Sequence, residues 1–284
     1  FTAPSVSGEQ SVILKQNGGE WPLGKLYFAA TSDILPKKIV KIIRTYEDPE
    51  DSKTETTTQE FSYDESGRLV RIKQVYNDGN EDISTIEYAE DQITITETEL
   101  ESLTFRLNNG RAESCVYVDK SSIESDYKYE TELSYGENGY LTGYVGKSTE
   151  GTTGTGTLTT DETGFLTKIS GRYEYEDSEE DNGTISIDFI PSPSVRNNLN
   201  LDLMYIDEIA DFDEIAIFDG HLLGVCGKRT TYLTQQYTST WNGEEETDPW
   251  TSKYNYVFDG EYISKIVIDD SDGGKTTLEL FYEE

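Results

Sequence analysis

Residues 61–72 (Phe61-Ser62-Tyr63-Asp64-Glu65-Ser66-Gly67-Arg68-Leu69-Val70-Arg71-Ile72) constrain the fold more than any other stretch, because their pattern recurs to the end of the chain. Phe61 and Tyr63 sit two apart and so project from one face of a strand. Asp64 and Ser66 carry side chains that bond nearby backbone, and Gly67 takes positive φ at no steric cost. Apolar residues resume at Leu69, Val70 and Ile72. This is the signature of two short strands around a tight turn.

The copies keep that spacing. Leu133–Tyr144 has the same length, with Leu141 and Tyr144 in the places of Leu69 and Ile72. Leu158–Ile169 repeats it, and Tyr256–Ile266 is one residue shorter in its turn. A degraded copy ends at Asn109–Cys115, with Ala112 and Cys115 in the core positions. Repeats on this scale stack supersecondary units over a continuous core. The expected architecture is all-β, with antiparallel hairpins laid side by side in a long twisted or curled sheet. Residues 21–284 are expected to form one repetitive domain behind a flexible leader over 1–20, with a sub-boundary near 191–198.

Charge bounds the partners. With 56 acidic against 23 basic residues, the net charge of −33 repels phosphate backbones and excludes nucleic acid as the main partner. It equally disfavours an anionic membrane surface. The 20 Tyr and 10 Phe supply large amphipathic faces, so a core is expected despite the polar average.

Irregular stretches punctuate the hairpins. Trp21–Phe28 reads as an edge or capping strand because of Pro22. The Gly/Thr-rich run 151–156 reads as a mobile hairpin tip. Pro191-Ser192-Pro193 is expected to interrupt the sheet ahead of a short helical or irregular insertion near 195–220. Periodicity leaves that insertion open: Leu199, Leu203 and Ile206 suit a helix stripe, while Leu199, Leu201 and Leu203 alternate as in a strand.

Few residues suggest chemistry, and no catalytic residue is singled out. His221 is the one histidine, no Gly-x-Ser-x-Gly elbow accompanies it, and its expected setting is a turn. Cys115 and Cys226 are either buried inert thiols, as the core repeat position of Cys115 suggests, or a bridge closing a long loop. Asp207, Asp211 and Asp213 form a candidate calcium cluster. Asp269, Asp270 and Asp272 before Gly273-Gly274 read instead as a hairpin turn. Trp241 and Trp250 bracket an acidic loop, and their rings either form a lip that stacks on sugar or peptide or plug the hydrophobic face of the sheet.

The Tyr-x-Tyr-Asp-x-x-Gly-x-Leu-x-x-Ile pattern, present as Phe61–Ile72, resembles the YD (Rhs-type) repeat. The order of the units is similar to that of a family of secreted Bacteroidetes lipoproteins of unknown function. The likeness spans residues 36–284 and includes the hairpins of 61–190, Asn198-Leu199-Asn200-Leu201-Asp202, the Leu223-Gly224 step and the closing Tyr256–Tyr282 hairpin. It implies an exported protein, at the cell surface, outer membrane or periplasm, held only by a lipid on a cysteine ahead of Phe1. The expected role is noncovalent binding of a glycan or protein partner. A structural or adhesion component of the envelope, and a hydrolase with paired carboxylates, are the alternatives.

Overall fold

The alternation of the repeat becomes alternation of burial. In the computed structural model Phe61, Leu69 and Ile72 are buried while Ser62 between the strands' inward positions is exposed. The structure describes residues 8–16, 19–28, 37–49, 53–121, 126–174, 182–201, 217–242 and 248–284. The chain divides into two compact units, Phe1–Lys37 and Lys38–Glu284.

The first unit carries an antiparallel hairpin of β1 (Gly8–Gln16) and β2 (Gly19–Phe28). Its register slips between Val12 and Ile13, and Ile13 lies opposite Pro22, a residue with no backbone N–H to donate to the ladder.

The second unit is built from sixteen strands. In order they are β3 (Ile39–Glu47), β4 (Thr54–Tyr63), β5 (Leu69–Val75), β6 (Glu81–Tyr88), β7 (Gln92–Thr96) and β8 (Glu101–Asn108). Then come β9 (Arg111–Asp119), β10 (Tyr127–Tyr135), β11 (Leu141–Ser148), β12 (Thr153–Thr160), β13 (Leu166–Glu174) and β14 (Gly183–Arg196). After a short helix, α1 (Ile217–Leu222), follow β15 (Tyr232–Asn242), β16 (Trp250–Asp259), β17 (Tyr262–Asp270) and β18 (Lys275–Tyr282). Each strand pairs antiparallel with the next, and β18 returns to β3, with Tyr282 opposite Ile39. The sheet is therefore a closed barrel rather than the open twisted or curled sheet that the repeats suggest. Twist accumulates over sixteen strands, and closure removes both edges. A local repeat fixes the hairpin but carries no signal for the pairing of its first and last strands.

Every copy of the repeat shows the same irregularity. Register slips just before the turn at Ser62/Tyr63, Arg106/Leu107, Ser134/Tyr135, Thr159/Thr160 and Val257/Phe258. Behind each slip lies a glycine at positive φ, Gly67, Gly110, Gly139, Gly164 or Gly260. Asp64 shows how the turn is held. Its Oδ1 accepts from the Ser66 and Arg68 amides at 2.9 and 2.8 Å, and its Oδ2 accepts from Arg68 Nε at 2.7 Å. Asp161 Oδ1 likewise accepts from the Thr163 hydroxyl at 2.6 Å and from the Thr163 and Phe165 amides at 2.8 and 3.0 Å. These bonds hold both carboxyls below the usual aspartate range.

The tyrosine that precedes the turn is a latch. The Tyr63, Tyr88, Tyr135 and Tyr282 hydroxyls donate to the carbonyls of Ile39, Leu69, Ala112 and Ile263 at 2.7–2.8 Å. Tyr256 donates in the same way to Thr234. Each acceptor lies at or near the start of the preceding strand. In three cases the residue just before the acceptor is basic and lies over the ring: Lys38 on Tyr63, Arg68 on Tyr88 and Arg111 on Tyr135.

The run 151–156 is not only a tip. Gly154 and Gly156 lie inside β12, and their missing side chains make room for rings on the inner face. A Cβ on Gly156 would stand 2.2 Å from the Tyr144 ring, and one on Gly146 would stand 2.3 Å from the Tyr129 ring. Pro191 and Pro193 likewise lie within β14, which continues to Arg196, although its ladder to β15 breaks on both sides of Pro191.

The described parts of the expected insertion pack against one end of the barrel. Among its described residues, 197–201 and 217–231 include the six-residue α1 and otherwise irregular chain. Asn200 accepts from the Ile39 amide at 2.9 Å and donates to Tyr63 Oη at 2.8 Å. The Ala112 amide donates to the Val225 carbonyl, and the Lys228 amide donates to the Gly139 carbonyl. Thr231 Oγ1 donates to the Thr163 carbonyl. The plug thus reaches β3, β4, β9 and the β10–β11 and β12–β13 turns. Its own Leu199, Leu201, Leu222 and Cys226 are buried.

Candidate functional site: a polar cleft at one end of the barrel

A round barrel of sixteen strands is wide enough for an aqueous channel. Here the inward stripe is apolar, and Ile39, Phe105, Ile187, Leu233 and Ile263 are fully buried. An aromatic wall adds Tyr173 against Trp241 at 6.3 Å, Phe189 against Tyr237 at 6.2 Å and Tyr237 against Tyr254 at 6.2 Å. With the plug at the turn end, the interior is core rather than pore.

The inward stripe changes character toward the other end. On β4 it runs from Phe61 to Gln59, on β5 from Ile72 to Gln74, on β6 from Ile86 to Ser84 and Asp82, and on β7 from Ile95 to Glu97. These positions stay on one face because alternation carries them there. Of them Ile72, Gln74, Asp82, Ser84, Ile95 and Glu97 line a cleft of about 310 Å³ together with Tyr76, Thr98 and Glu101.

One side of the cleft is a hydrogen-bonded chain. Gln59 Nε2 donates to Gln74 Oε1 at 2.9 Å, Gln74 Nε2 donates to Tyr76 Oη at 2.7 Å, and Tyr76 Oη donates to Asp82 Oδ2 at 2.8 Å. Opposite, Thr98 Oγ1 donates to Glu101 Oε2 at 3.1 Å, and Tyr117 Oη donates to Glu101 Oε1 at 3.3 Å. Burial, reinforced by the negative charge of Glu101 and Asp82, pushes the Glu97 carboxyl above its ordinary value. Burial, with Glu101, Asp119 and Glu97 close by, pushes the Tyr117 hydroxyl up to about 12. The cleft therefore presents many acceptors over an Ile72 and Ile95 floor and suits a ligand rich in hydrogen-bond donors. No sequence motif marks it. The signal was the polar end of each inward stripe, which is visible only once the strand faces are known.

Trp241 and Trp250 belong to this same end, on the β15–β16 hairpin. Ile185 lies opposite Trp241 in the ladder and Ser239 opposite Trp250, which places both tryptophans at inner-face positions. Trp241 is half-buried against Tyr173 and over Gly183, where a Cβ would stand 2.3 Å from its ring. Trp250 is 39% exposed. Its Nε1 donates to Ser252 Oγ at 3.0 Å, and Ser252 in turn donates to Asp270. Burial pushes the Asp270 carboxyl up, against the lowering effect of that bond.

The remaining candidates lie elsewhere. Asp207, Asp211 and Asp213 fall outside the described residues. Among the described residues no group of three or more His, Cys, Asp or Glu is arranged to hold a metal ion. Asp272 accepts from the Gly274 amide at 2.8 Å, and Gly273 has φ 96°, so the second acidic cluster is a hairpin turn. His221 is buried in the last turn of α1 rather than in a turn between strands. Cys115 and Cys226 are buried thiols.

The outer face is polar. Lys73 pairs with Glu81 at 2.7 Å, Lys168 with Asp188 at 3.3 Å and Lys265 with Glu279 at 2.9 Å. Threonine pairs join neighbouring strands at Thr94–Thr104 and Thr238–Thr251. Exposed apolar residues such as Val145, Ile190, Val257 and Phe281 are scattered among them. A lipid-facing barrel needs an apolar band about 25 Å tall, and Lys or Arg at its midplane costs about 2–4 kcal/mol each. No helix among the described residues is long and apolar enough to cross a membrane.

No protein-family model matches the sequence, and no curated protein matches it. Solved structures similar in fold include two porin-like proteins. A porin-like protein from Bacteroides vulgatus is 17% identical, with a TM-score of 0.64 over 87% of this chain and 99% of that one. A porin-like protein from Bacteroides uniformis is 20% identical, with a TM-score of 0.60 over 87% of this chain and 98% of that one. At these identities the likeness is one of fold.

Proposed function

We propose that the chain is an exported, water-exposed barrel that acts at the cell surface as a noncovalent glycan binder, receiving its ligand at the polar cleft instead of conducting solutes. The observation that carries this reading is the arrangement of faces: charge pairs outside, a largely apolar interior, and a polar cleft at the end away from the plug. Sugars offer many hydroxyl donors and apolar ring faces. Carboxylates and Gln74 in the cleft accept the former, and the partly open ring of Trp250, at the same end of the barrel, offers a separate face for the latter. The fold shared with porin-like proteins of Bacteroides and the resemblance to secreted lipoproteins favour an envelope location, with a lipid ahead of Phe1 as the tether.

A glycan array followed by calorimetry tests this. Wild type is expected to bind at least one glycan class, and Trp250→Ala, whose ring lies outside the core, is expected to weaken binding at least tenfold while keeping its melting temperature. Absence of binding across the array, or equal binding by the variant, overturns the glycan reading and leaves a structural envelope component. Single-channel conductance in planar bilayers is expected to be nil, and stepwise conductance overturns the filled barrel.

A further inference from the structure

The only two cysteines of the sequence stand on opposite sides of one joint. Cys115 is on the barrel wall, on β9, and Cys226 is on the plug just after α1. Cys115 is 1% exposed and Cys226 is 0% exposed. Three contacts bring them to one place. The Ala112 amide, on the strand that carries Cys115, donates to the carbonyl of Val225 beside Cys226 at 2.9 Å. Phe105 lies directly opposite Cys115 in the β8–β9 ladder. A Cβ on Gly220 would meet the Phe105 ring at 2.9 Å and Cys226 Sγ at 2.2 Å, so the plug packs over that same ring with its thiol alongside. The Tyr135 hydroxyl, which donates to the Ala112 carbonyl, also senses both thiols. Burial pushes it up first, and Cys226 and then Cys115 add to the shift.

We propose that Cys115 and Cys226 are a disulfide site that fastens the plug to the barrel wall when the chain folds in an oxidising compartment. A disulfide needs Cα atoms roughly 4.4–6.8 Å apart, and the hydrogen bond that joins the two backbones lies one residue from Cys226 and three residues from Cys115 on the same strand. The step removes two protons and two electrons. One thiolate attacks a mixed disulfide formed by the other thiol with an oxidant of the disulfide class, an S–S bond forms between Sγ atoms, and the oxidant leaves as a thiol. The bridge closes a long loop between a wall strand and the plug, where the constraint on the unfolded chain is greatest. Gly220 is part of the design, because any side chain there occupies the space of the Cys226 sulfur.

The test uses the whole chain refolded from denaturant in a glutathione redox buffer, then denatured, alkylated and weighed. The expected result is a monomer lighter by about 2 Da than the reduced chain, with no alkylated cysteine and one peptide pair joining 115 to 226. Its melting temperature is expected to exceed that of the reduced chain by at least about 5 °C, a difference absent in Cys226→Ala. Two alkylated cysteines, glutathione adducts, or a bridge between chains each overturn the proposal. Because thiol state is read on the wild type, the outcome does not depend on the variant folding.

Discussion

Gly156→Ala is the sharpest probe of how the interior is filled. In a strand whose inner face was open, alanine would stabilise by about 0.5–1 kcal/mol through the unfolded chain alone. Gly156 has no positive φ to oppose the change. Its new Cβ, however, would lie 2.2 Å from two carbons of the Tyr144 ring, against an ordinary contact of 3.4–4 Å. The ring or the β12 backbone must therefore move by more than an ångström. Tyr144 is 4% exposed, and burial holds its hydroxyl at about 12, so there is no empty space to receive it. Overpacking of this kind costs about 1–3 kcal/mol. The net loss expected is about 1–2 kcal/mol, or about 2–8 °C in melting temperature by differential scanning fluorimetry. Tyr144→Leu combined with Gly156→Ala is expected to cost less than the two single changes added, because the clash is relieved. A rise in melting temperature for Gly156→Ala, of the size propensity alone gives, would refute the flat-ring packing.

Glu97→Gln tests the cleft. A carboxyl raised in the folded state binds its proton more tightly there than in the unfolded chain, so its cost to stability appears as pH rises through the unfolded value and persists above the folded one. The variant is expected to melt higher than wild type at pH 7 and equally at pH 3.5, and an equal gain at both pH values contradicts the assignment. Tyr282→Phe removes one latch and leaves the Ile263 carbonyl without that donor. A loss of about 1 kcal/mol in urea unfolding is expected, and an unchanged midpoint speaks against the latch.

How far the sequence reached depends on the scale of the interaction. The hairpins were legible because their determinants are local: Asp64, Gly67 and Leu69 lie within six residues of one another. Leu69, Leu141 and Ile263 are buried as the repeat demands, and in the third copy Phe165 takes the fully buried place beside Leu166. The tyrosine latches were half legible, since Lys38-Ile39, Arg68-Leu69 and Arg111-Ala112 share a basic–apolar step that the repeat pattern did not include. Closure was not legible, because the pairing of Tyr282 with Ile39 has no counterpart in neighbouring sequence. The glycines of β12 misled for a physical reason. Gly154 and Gly156 look like turn residues in one dimension, and only the rings of Tyr129 and Tyr144 from β10 and β11 reveal them as core positions. The cleft was hidden likewise: Gln74, Asp82 and Glu97 read as solvated strand residues until the inner face is identified.

Hydroxyl-radical footprinting of the detergent-free protein, read residue by residue by mass spectrometry, tests the orientation of the faces most directly. Phe281, Phe258 and Tyr76, at 40%, 48% and 37% exposure, are expected to oxidise in the native state. Phe105, Phe165 and Tyr129, at 0%, 1% and 1%, are expected to be modified only after unfolding. Native oxidation of Phe105 and Phe165 at the rate of Phe281, or a requirement for detergent to keep the chain folded, would contradict a barrel whose apolar side faces inward.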